Sequence, residues 1–482
     1  MRRTKIVATM GPASSKPDIV GQLIRAGMDV ARLNFSHGER ADHEAMIRVV
    51  REQAKQAGRV VGILQDLQGP KIRTGSMKSD GEVELVPGQP LEITTEPVEG
   101  TAQRFSTTYQ ALPQDVRPGD RLLISDGLIE VAVQRVTDRS VVAEVIHGGP
   151  LRPHQGINMP GVRTSASALT EKDLDDLEFG LAHDVDYIAM SFVRRSEDIT
   201  QLKQRIAEAG KDVPVIAKLE KREAMDHLEE ILSVSDGVMV ARGDMGLEFP
   251  LEQVPLLQKD IIHAANRAGI PVITATQMLE SMLHNPRPTR AEVSDVANAI
   301  LDGSDAVMLS GETAIGDYPV ETVSTIARIA EAADAKREQS LQADIPSWMF
   351  AEVGSMPQAI GAAVRAIVRS LPVKAICVLT KTGSSARHVS HYRPNVPILA
   401  FTPEPKTLGR LALYWGVIPV ATSFAVTEED YYHQVQSVLM RDGLTQEGDT
   451  VVVTGGHPIA RGGPTNFLKI MVLSPGHPTM GF

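Results

Sequence analysis

Eight short runs rich in valine and isoleucine recur along the chain, and they limit its fold more than any other feature. They occupy residues 3–9, 28–34, 60–66, 184–191, 213–219, 235–241, 270–276 and 304–309. The runs are apolar throughout rather than alternating, so they read as strands buried on both faces. Amphipathic segments such as 41–57 and 320–338 fill the gaps. Strand–helix alternation implies a parallel sheet, since each parallel return needs a crossover. Eight units in about 240 residues predict an α/β fold of the (β/α)8 or TIM-barrel type, whose usual length is ~250.

The alternation stops near residue 70. From there to about 166 come short β runs, 82–86, 121–125, 128–136 and 141–147, separated by turn signals such as Pro87-Gly88, Pro118-Gly119 and Asp126-Gly127. This predicts an all-β insertion after the third barrel strand, at the active face of a barrel, where a lid belongs. After about 337 a third pattern begins. A helix near 355–370 leads into strand-like runs at 374–379, 397–401, 417–421 and 449–454, with the polar stretch 337–347 as linker. The expected division is a barrel of residues 1–69 and 167–336, a β-barrel lid of 70–166, and a C-terminal α/β domain of 337–482.

Composition excludes several classes. A formal charge of -11 is wrong for a general nucleic-acid binder, which needs a basic surface. With 42% hydrophobic residues the chain can bury sizeable cores. One cysteine, Cys377, allows no intrachain disulfide and fits a reducing compartment. The apolar run before Gly11 and Pro12 is shorter than the ~7–15 residues of a secretory leader. No stretch approaches the ~18–20 apolar residues of a membrane span. A cytoplasmic protein without membrane or nucleic-acid partners is expected.

The chemically active residues gather at strand ends. Strand two ends in Arg32, Asn34, Ser36 and His37, and strand three in Asp66, followed by Lys71 and Arg73. Ser191 ends strand four, Lys218 and Glu220 strand five, Gly243 and Asp244 strand six, Thr276 strand seven and Ser310 strand eight. In a barrel these tips converge on one face. Lys218 and Glu220 are two apart and point the same way. Taken alone they could be a plain ion pair. With Asp244 beside them, the two carboxylates offer hard oxygen ligands for Mg²⁺ (or Mn²⁺), and Lys218 can neutralise a transferring phosphoryl group. There is no Gly-x-x-x-x-Gly-Lys-[Ser/Thr] loop, so a P-loop enzyme is excluded.

The run V-P-V-I-A-K-L-E-K-R-E-A-M (213–225) resembles the signature around the catalytic lysine of the pyruvate kinase family. The resemblance extends to T-K-I-V-A-T-M-G-P-A-S (4–14), A-R-L-N-F-S-H (31–37), G-P-K-I-R-T-G (69–75) and L-T-E-K-D (169–173). It continues through A-R-G-D-M-G-L-E (241–248), T-A-T-Q-M-L-E-S-M (274–282), P-T-R-A-E (288–292) and D-A-V-M-L-S-G-E-T-A (305–314). It therefore spans the chain, in consistent order. It implies transfer of the phosphoryl group of phosphoenolpyruvate to ADP, giving ATP and, after protonation of the enolate, pyruvate. Arg32, Lys218, Ser191 and Arg73 would contact the phosphoryl group, and Glu220 and Asp244 the divalent ion. The substrate carboxylate would meet the backbone of Gly243 and Asp244 and the Thr276 hydroxyl. Thr276 and Ser310 would lie on the proton path. Pro12, Asn34, His37 and Arg73 would bind nucleotide, although His37 could be a structural hydrogen-bonding residue. A homotetramer is likewise implied, with Pro288-Thr289-Arg290 at an interface.

One departure bears on charge. Where K⁺-dependent members read Asp-Thr-Lys-Gly-Pro-Glu, this chain reads Asp66-Leu67-Gln68-Gly69-Pro70-Lys71. The Lys71 ammonium can supply the positive charge that K⁺ supplies elsewhere. The chain thus resembles the K⁺-independent branch, and K⁺ is not expected to be required. Were K⁺ retained, Asn34, Ser36 and Asp66 would hold it. In the C-terminal domain, Thr380, Lys381, Thr382, Gly383, Ser384 and Ser385 lie between a strand and a helix and offer hydroxyls and amides to a phosphate. A capped turn would look the same. The resemblance favours a phosphorylated effector there, a sugar monophosphate or AMP; Arg461 lies in a Gly-rich loop, Gly455-Gly456 to Gly462-Gly463, that either closes over it or simply connects strands.

Two rivals remain at this stage. Another barrel enzyme of pyruvate or phosphoenolpyruvate chemistry would leave the lid, the third domain and Lys218 unexplained. A catalytically silent metabolite-binding homologue predicts damage among Lys218, Glu220, Asp244, Arg32, Arg73 and Thr276, and all are intact.

Overall fold

A computed structural model gives the architecture. It describes residues 1–78, 81–343, 354–423, 427–441, 443–457 and 463–473. Eight parallel strands close into a barrel. They are β1 (Lys5–Thr9), β2 (Val30–Asn34), β3 (Gly62–Asp66), β4 (Tyr187–Met190), β5 (Val215–Leu219), β6 (Gly237–Ala241), β7 (Val272–Ala275) and β8 (Ala306–Leu309). Each of the eight predicted runs contains one of them. Helices return the chain between strands, and local chemistry sets their starts. Thr170 caps the helix Glu171–Ala182 by accepting from the Asp173 N–H, and Thr289 does the same for Arg290–Asp302 through Glu292.

Side-chain alternation divides the barrel interior into two layers. The lower layer is apolar: Val7, Val30, Leu64, Tyr187, Ile216, Met239, Ile273 and Ala306 share one buried cluster. The same parity, carried upward, brings Thr9, Arg32, Asp66, Ser191, Lys218, Glu220 and Ser310 to the open end. One strand period therefore fixes both the core and the chemistry.

Between β3 and β4 lies a six-stranded sheet in the order Ile157–Asn158, Arg121–Ile124, Ile129–Val136, Ser140–His147, Pro90–Thr94, Arg104–Ser106. Val83–Leu85 pairs separately with Gly149–Leu151. This inserted sheet has its own core around Leu91, Phe105, Ile129 and Val141.

The C-terminal sheet has five strands: β9 (Val373–Leu379), β10 (Ile398–Thr402), β11 (Val417–Ala421), β12 (Thr450–Gly455) and β13 (Phe467–Val472). Its order is β11-β10-β9-β12-β13, with β13 antiparallel. Residues 337–343, expected as linker, are instead the last turns of the helix Pro319–Ala343. Their sequence, Arg-Glu-Gln-Ser-Leu-Gln-Ala, is made mostly of strong helix formers, and polarity alone misread it.

The C-terminal sheet docks on the underside of the barrel. Ala412 and Leu413 join the apolar inner layer and close its floor. Tyr187 Oη donates to the Arg410 carbonyl at 2.6 Å, and Lys5 Nζ to the Val417 carbonyl at 2.6 Å. Arg393 pairs with Asp305 at 2.8 Å, just below β8. Approach is closest at Gly409, where an added Cβ would stand 1.9 Å from Asp186 Oδ1. Only glycine fits there.

Candidate active site

Lys218 stands at the centre of the strand tips. Its Nζ donates to Ser191 Oγ at 2.7 Å and lies 3.3 Å from Asp66 Oδ1 and 3.0 Å from Glu220 Oε1. Burial alone would lower its pKa, but the Asp66 and Glu220 carboxylates outweigh that and raise it above the ordinary lysine value. The ammonium is thus held charged. Ser191 Oγ donates onward to the Leu67 carbonyl at 2.7 Å, which fixes its rotamer.

Arg32 occupies the neighbouring tip. Its Nε donates to Asp66 Oδ2 at 2.7 Å and its Nη1 to Thr9 Oγ1 at 2.9 Å, and Thr9 in turn donates to the Leu309 carbonyl at 2.8 Å. Asp66 therefore sits between two cations. Burial pushes its pKa up, but Lys218 and Arg32 together bring it below the usual carboxylate range. Thr9 and the Asp66–Arg32 pairing were not anticipated as a unit. The available signal is register: Thr9 is the Cα partner of Arg32, and Asp66 that of Asn34.

Glu220 faces the same space. Its Oε2 accepts the Phe192 N–H at 2.9 Å, whereas Oε1, although near Lys218, is buried and makes no hydrogen bond. Burial first, and then the Asp244 carboxylate, raise its pKa, against the pull of Lys218. The Asp244 carboxylate makes no hydrogen bond or ion pair among the described residues. Two carboxylates facing one space, Glu220 with an oxygen whose sole close partner among the described residues is the Lys218 ammonium and Asp244 with no ion pair there, fit a divalent ion. Among the described residues no group of three or more His, Cys, Asp or Glu forms a metal cage. Two carboxylates are what Mg²⁺ uses when substrate oxygens and water complete its shell.

Thr276 and Gln277 both have left-handed backbones, with φ of 68° and 54°. Arg242 holds this strained corner: its Nη2 donates to the Thr276 carbonyl at 2.7 Å, and its Nη1 to Asp295 Oδ2 at 2.6 Å. Thr276 Oγ1 accepts the Gly243 N–H at 2.8 Å. That amide and the Thr276 hydroxyl, both expected to meet the substrate carboxylate, thus lie side by side. Ser310 Oγ, at the tip of β8, is buried with no hydrogen-bond partner among the described residues.

The inserted sheet covers this face. A cleft separates it from the barrel, lined by Lys71, Asp126, Asn158, Phe192, Lys221 and Asp244. Arg73 Nη1 donates to the His154 carbonyl at 2.9 Å, tying the hinge to the insertion. Lys71 is exposed, and its ammonium has no hydrogen bond or ion pair among the described residues. His37 is exposed and Pro12 opens a short 3-10 turn. Partial burial and then the charges of Lys71, Arg73 and Arg32 push the His37 pKa down, which keeps its imidazole neutral. Asn34 Oδ1 accepts the Ser36 N–H at 3.1 Å.

In the C-terminal sheet, Gly383 has φ 91° and donates its N–H to Thr380 Oγ1 at 2.9 Å. Thr382 and Ser384 are exposed, and Ser385 Oγ bonds Thr465 Oγ1 at 2.7 Å. Lys381 lies 3.9 Å from Glu404. Arg461 lies outside the described residues.

Fixed cations flanking a pair of carboxylates at the open end of a (β/α)8 barrel are suited to moving phosphoryl groups, so fold and site together define a barrel phosphotransferase. Comparison with known proteins narrows that class. The model of the pyruvate kinase barrel domain matches residues 1–323, and that of the pyruvate kinase alpha/beta domain residues 358–471. The chain is 50% identical to pyruvate kinase 2 of Synechocystis sp., over 98% of this chain and 79% of the relative. It is 46% identical to the pyruvate kinase of Staphylococcus saprophyticus, over 98% and 80%. A crystal structure of a pyruvate kinase from Cryptosporidium parvum superposes with a TM-score of 0.90 at 35% identity, covering 98% of this chain and 96% of that one. The chain belongs to the pyruvate kinase family. It is a phosphotransferase, and its reaction is that of the family, the last step of glycolysis.

Proposed function

We propose that phosphoenolpyruvate lies across the strand tips with its phosphoryl group among Arg32, Ser191, Lys218 and Arg73, and that ADP enters beside Pro12, Asn34 and His37. The observation that carries this reading is Lys218, a buried ammonium held charged by Asp66 and Glu220 at the end of β5. It stabilises the charge on the transferring group where water cannot screen it. Glu220 and Asp244 would hold a divalent ion, Mg²⁺ or Mn²⁺, which supplies further positive charge to the phosphoryl oxygens when bound. Thr276 would orient the substrate carboxylate together with the Asp244 amide. Ser310, whose hydroxyl has no partner among the described residues, is the group placed to pass a proton to the enolate through water, with Thr276 beside it. Coupled to lactate dehydrogenase, the chain with phosphoenolpyruvate, ADP and Mg²⁺ is expected to produce pyruvate. No pyruvate, with or without phosphorylated metabolites present, would overturn this function.

K⁺ is not required in this reading. Lys71 brings its own charge to the cleft, and its field reaches His37. Two of the side chains that could ligate K⁺ have other partners: Asp66 is held by Arg32 and Lys218, and Asn34 by Ser36. Activity with only Tris or tetramethylammonium as counter-ion should match that with K⁺. A large stimulation by K⁺ would refute the point. Thr380–Ser385, with Arg461, form the proposed seat of a phosphorylated activator, a sugar monophosphate or AMP. The left-handed Gly383 supports it by turning the loop tightly enough to leave the Thr382 and Ser384 hydroxyls exposed. A homotetramer and a cytoplasmic location complete the proposal; no helix among the described residues is long and apolar enough to cross a membrane. The division into barrel (1–69 and 167–336), lid (70–166) and C-terminal domain (337–482) is retained as the functional partition.

A further inference from the structure

The run L-T-E-K-D (169–173) opens the helix Glu171–Ala182, where the chain returns from the inserted sheet. The reaction gives it no part beyond the Thr170 cap. Its side chains nevertheless reach two loops at the open end of the barrel. Lys172 Nζ donates to the Phe35 carbonyl at 2.8 Å, in the loop after β2. Asp173, fully buried, accepts the Gly69 N–H at 3.0 Å, in the loop after β3 from which the insertion departs. Asp176, one turn on, pairs with the Lys172 ammonium and aims it.

The loop after β2 is held from its other side by His43. Gly38 has φ 78°, and that left-handed turn lets the chain double back into the helix Arg40–Gln56. On the first turn of that helix, His43 Nε2 lies 3.0 Å from the His37 carbonyl, and its ring stacks on Phe35 with centroids 4.1 Å apart. A carbonyl only accepts, so Nε2 carries the proton in this bond. The Phe35 N–H donates to the Asp66 carbonyl at 3.0 Å, and the Ser36 N–H to Asn34 Oδ1 at 3.1 Å. These backbone groups are thus bonded within the protein, while the His37 side chain is exposed. Both anchors, Lys172 and His43, end on backbone carbonyls and so set the course of the loop itself. Fixing a loop in advance removes the cost of ordering it when a ligand binds. We propose that Lys172 and His43 are positioning residues that preorganise residues 34–37 to receive the nucleotide. The proposal rests on the placement of ADP beside Asn34 and His37. Phosphoenolpyruvate is largely indifferent to this order, because Lys218 and Ser191 meet its phosphoryl group from the ends of β5 and β4.

Steady-state kinetics of the full chain in the coupled assay, with ADP and phosphoenolpyruvate varied separately, test the proposal. Lys172→Met should raise KM for ADP about three- to tenfold, the scale of one charge-assisted hydrogen bond lost in partial contact with water. KM for phosphoenolpyruvate and kcat should change by less than about twofold. Lys172→Arg should restore KM for ADP, since a guanidinium can donate to the same carbonyl. His43→Phe keeps the ring stack and removes the donor, and it should also raise KM for ADP alone. Unchanged melting temperatures separate positioning from a general loss of fold. His37→Ala reports on the placement of ADP itself. If it raises KM for ADP while Lys172→Met and His43→Phe do not, the placement stands and this proposal falls. If His37→Ala leaves KM for ADP unchanged, the placement falls and takes this proposal with it. A parallel rise in both KM values, or a loss that Lys172→Arg fails to restore, marks a merely structural role and also overturns it.

Discussion

Replacing Lys218 with methionine is expected to reduce turnover by ~10³-fold or more, the scale set by removing a fixed charge from a phosphoryl-transfer site. Substrate binding should change far less, because Arg32 remains to hold the phosphoryl group. The fold should survive as well. Asp66 keeps its bond to Arg32, and Glu220 already leans toward its neutral form through burial and Asp244. Steady-state kinetics in the coupled assay separate the two effects: kcat falls while KM stays within a few-fold. Turnover that persists would remove Lys218 from its assigned role.

Asp66→Asn is expected to damage both stability and catalysis. The Asp66 side chain is 1% exposed and stands between Arg32 and Lys218, whose side chains are 9% and 11% exposed. Asparagine keeps the shape and an acceptor but removes the charge that holds two buried cations together. Breaking a buried ion pair on one side costs about 3–5 kcal/mol, and the retained acceptor places this change near the lower figure. Lys218 would also lose the Asp66 charge that does most to keep it protonated. Urea unfolding should show a lower midpoint at unchanged slope, and kcat should fall in the same variant. An unchanged midpoint together with normal turnover would show that Asp66 does not organise the site.

The barrel could be read from the sequence because each strand is apolar on both faces and its neighbours are helices. The smaller strands could not. Pro90–Thr94 and Arg104–Ser106 are short and partly exposed, so their hydrophobic signal is weak. β13 is an edge strand whose residues are mostly half-buried or exposed, and it was missed altogether. Within the site, Lys218 and Glu220 were legible from two-residue spacing on one strand. The Arg32–Asp66–Lys218 chain was not, because it depends on how three strands are staggered, and residue spacing within a strand carries no such information. The bond from the Gly243 amide to Thr276 was not legible for a similar reason. Thr276 comes from the next strand and adopts a backbone that only a sharp, braced corner permits.

The floor of the barrel has a consequence for how this protein can be divided. Ala412 and Leu413 act as a stopper, and they arrive from a sheet more than a hundred residues downstream of β8 in the chain. Cutting after the helix Pro319–Ala343 would leave a tube open at its lower end, with Leu64, Tyr187 and Met239 meeting water. The barrel severed at that point is therefore expected to be less stable than the full chain. Its floor is shared with the C-terminal sheet, so any shift of the stopper is felt first by the apolar rungs beneath the reacting groups.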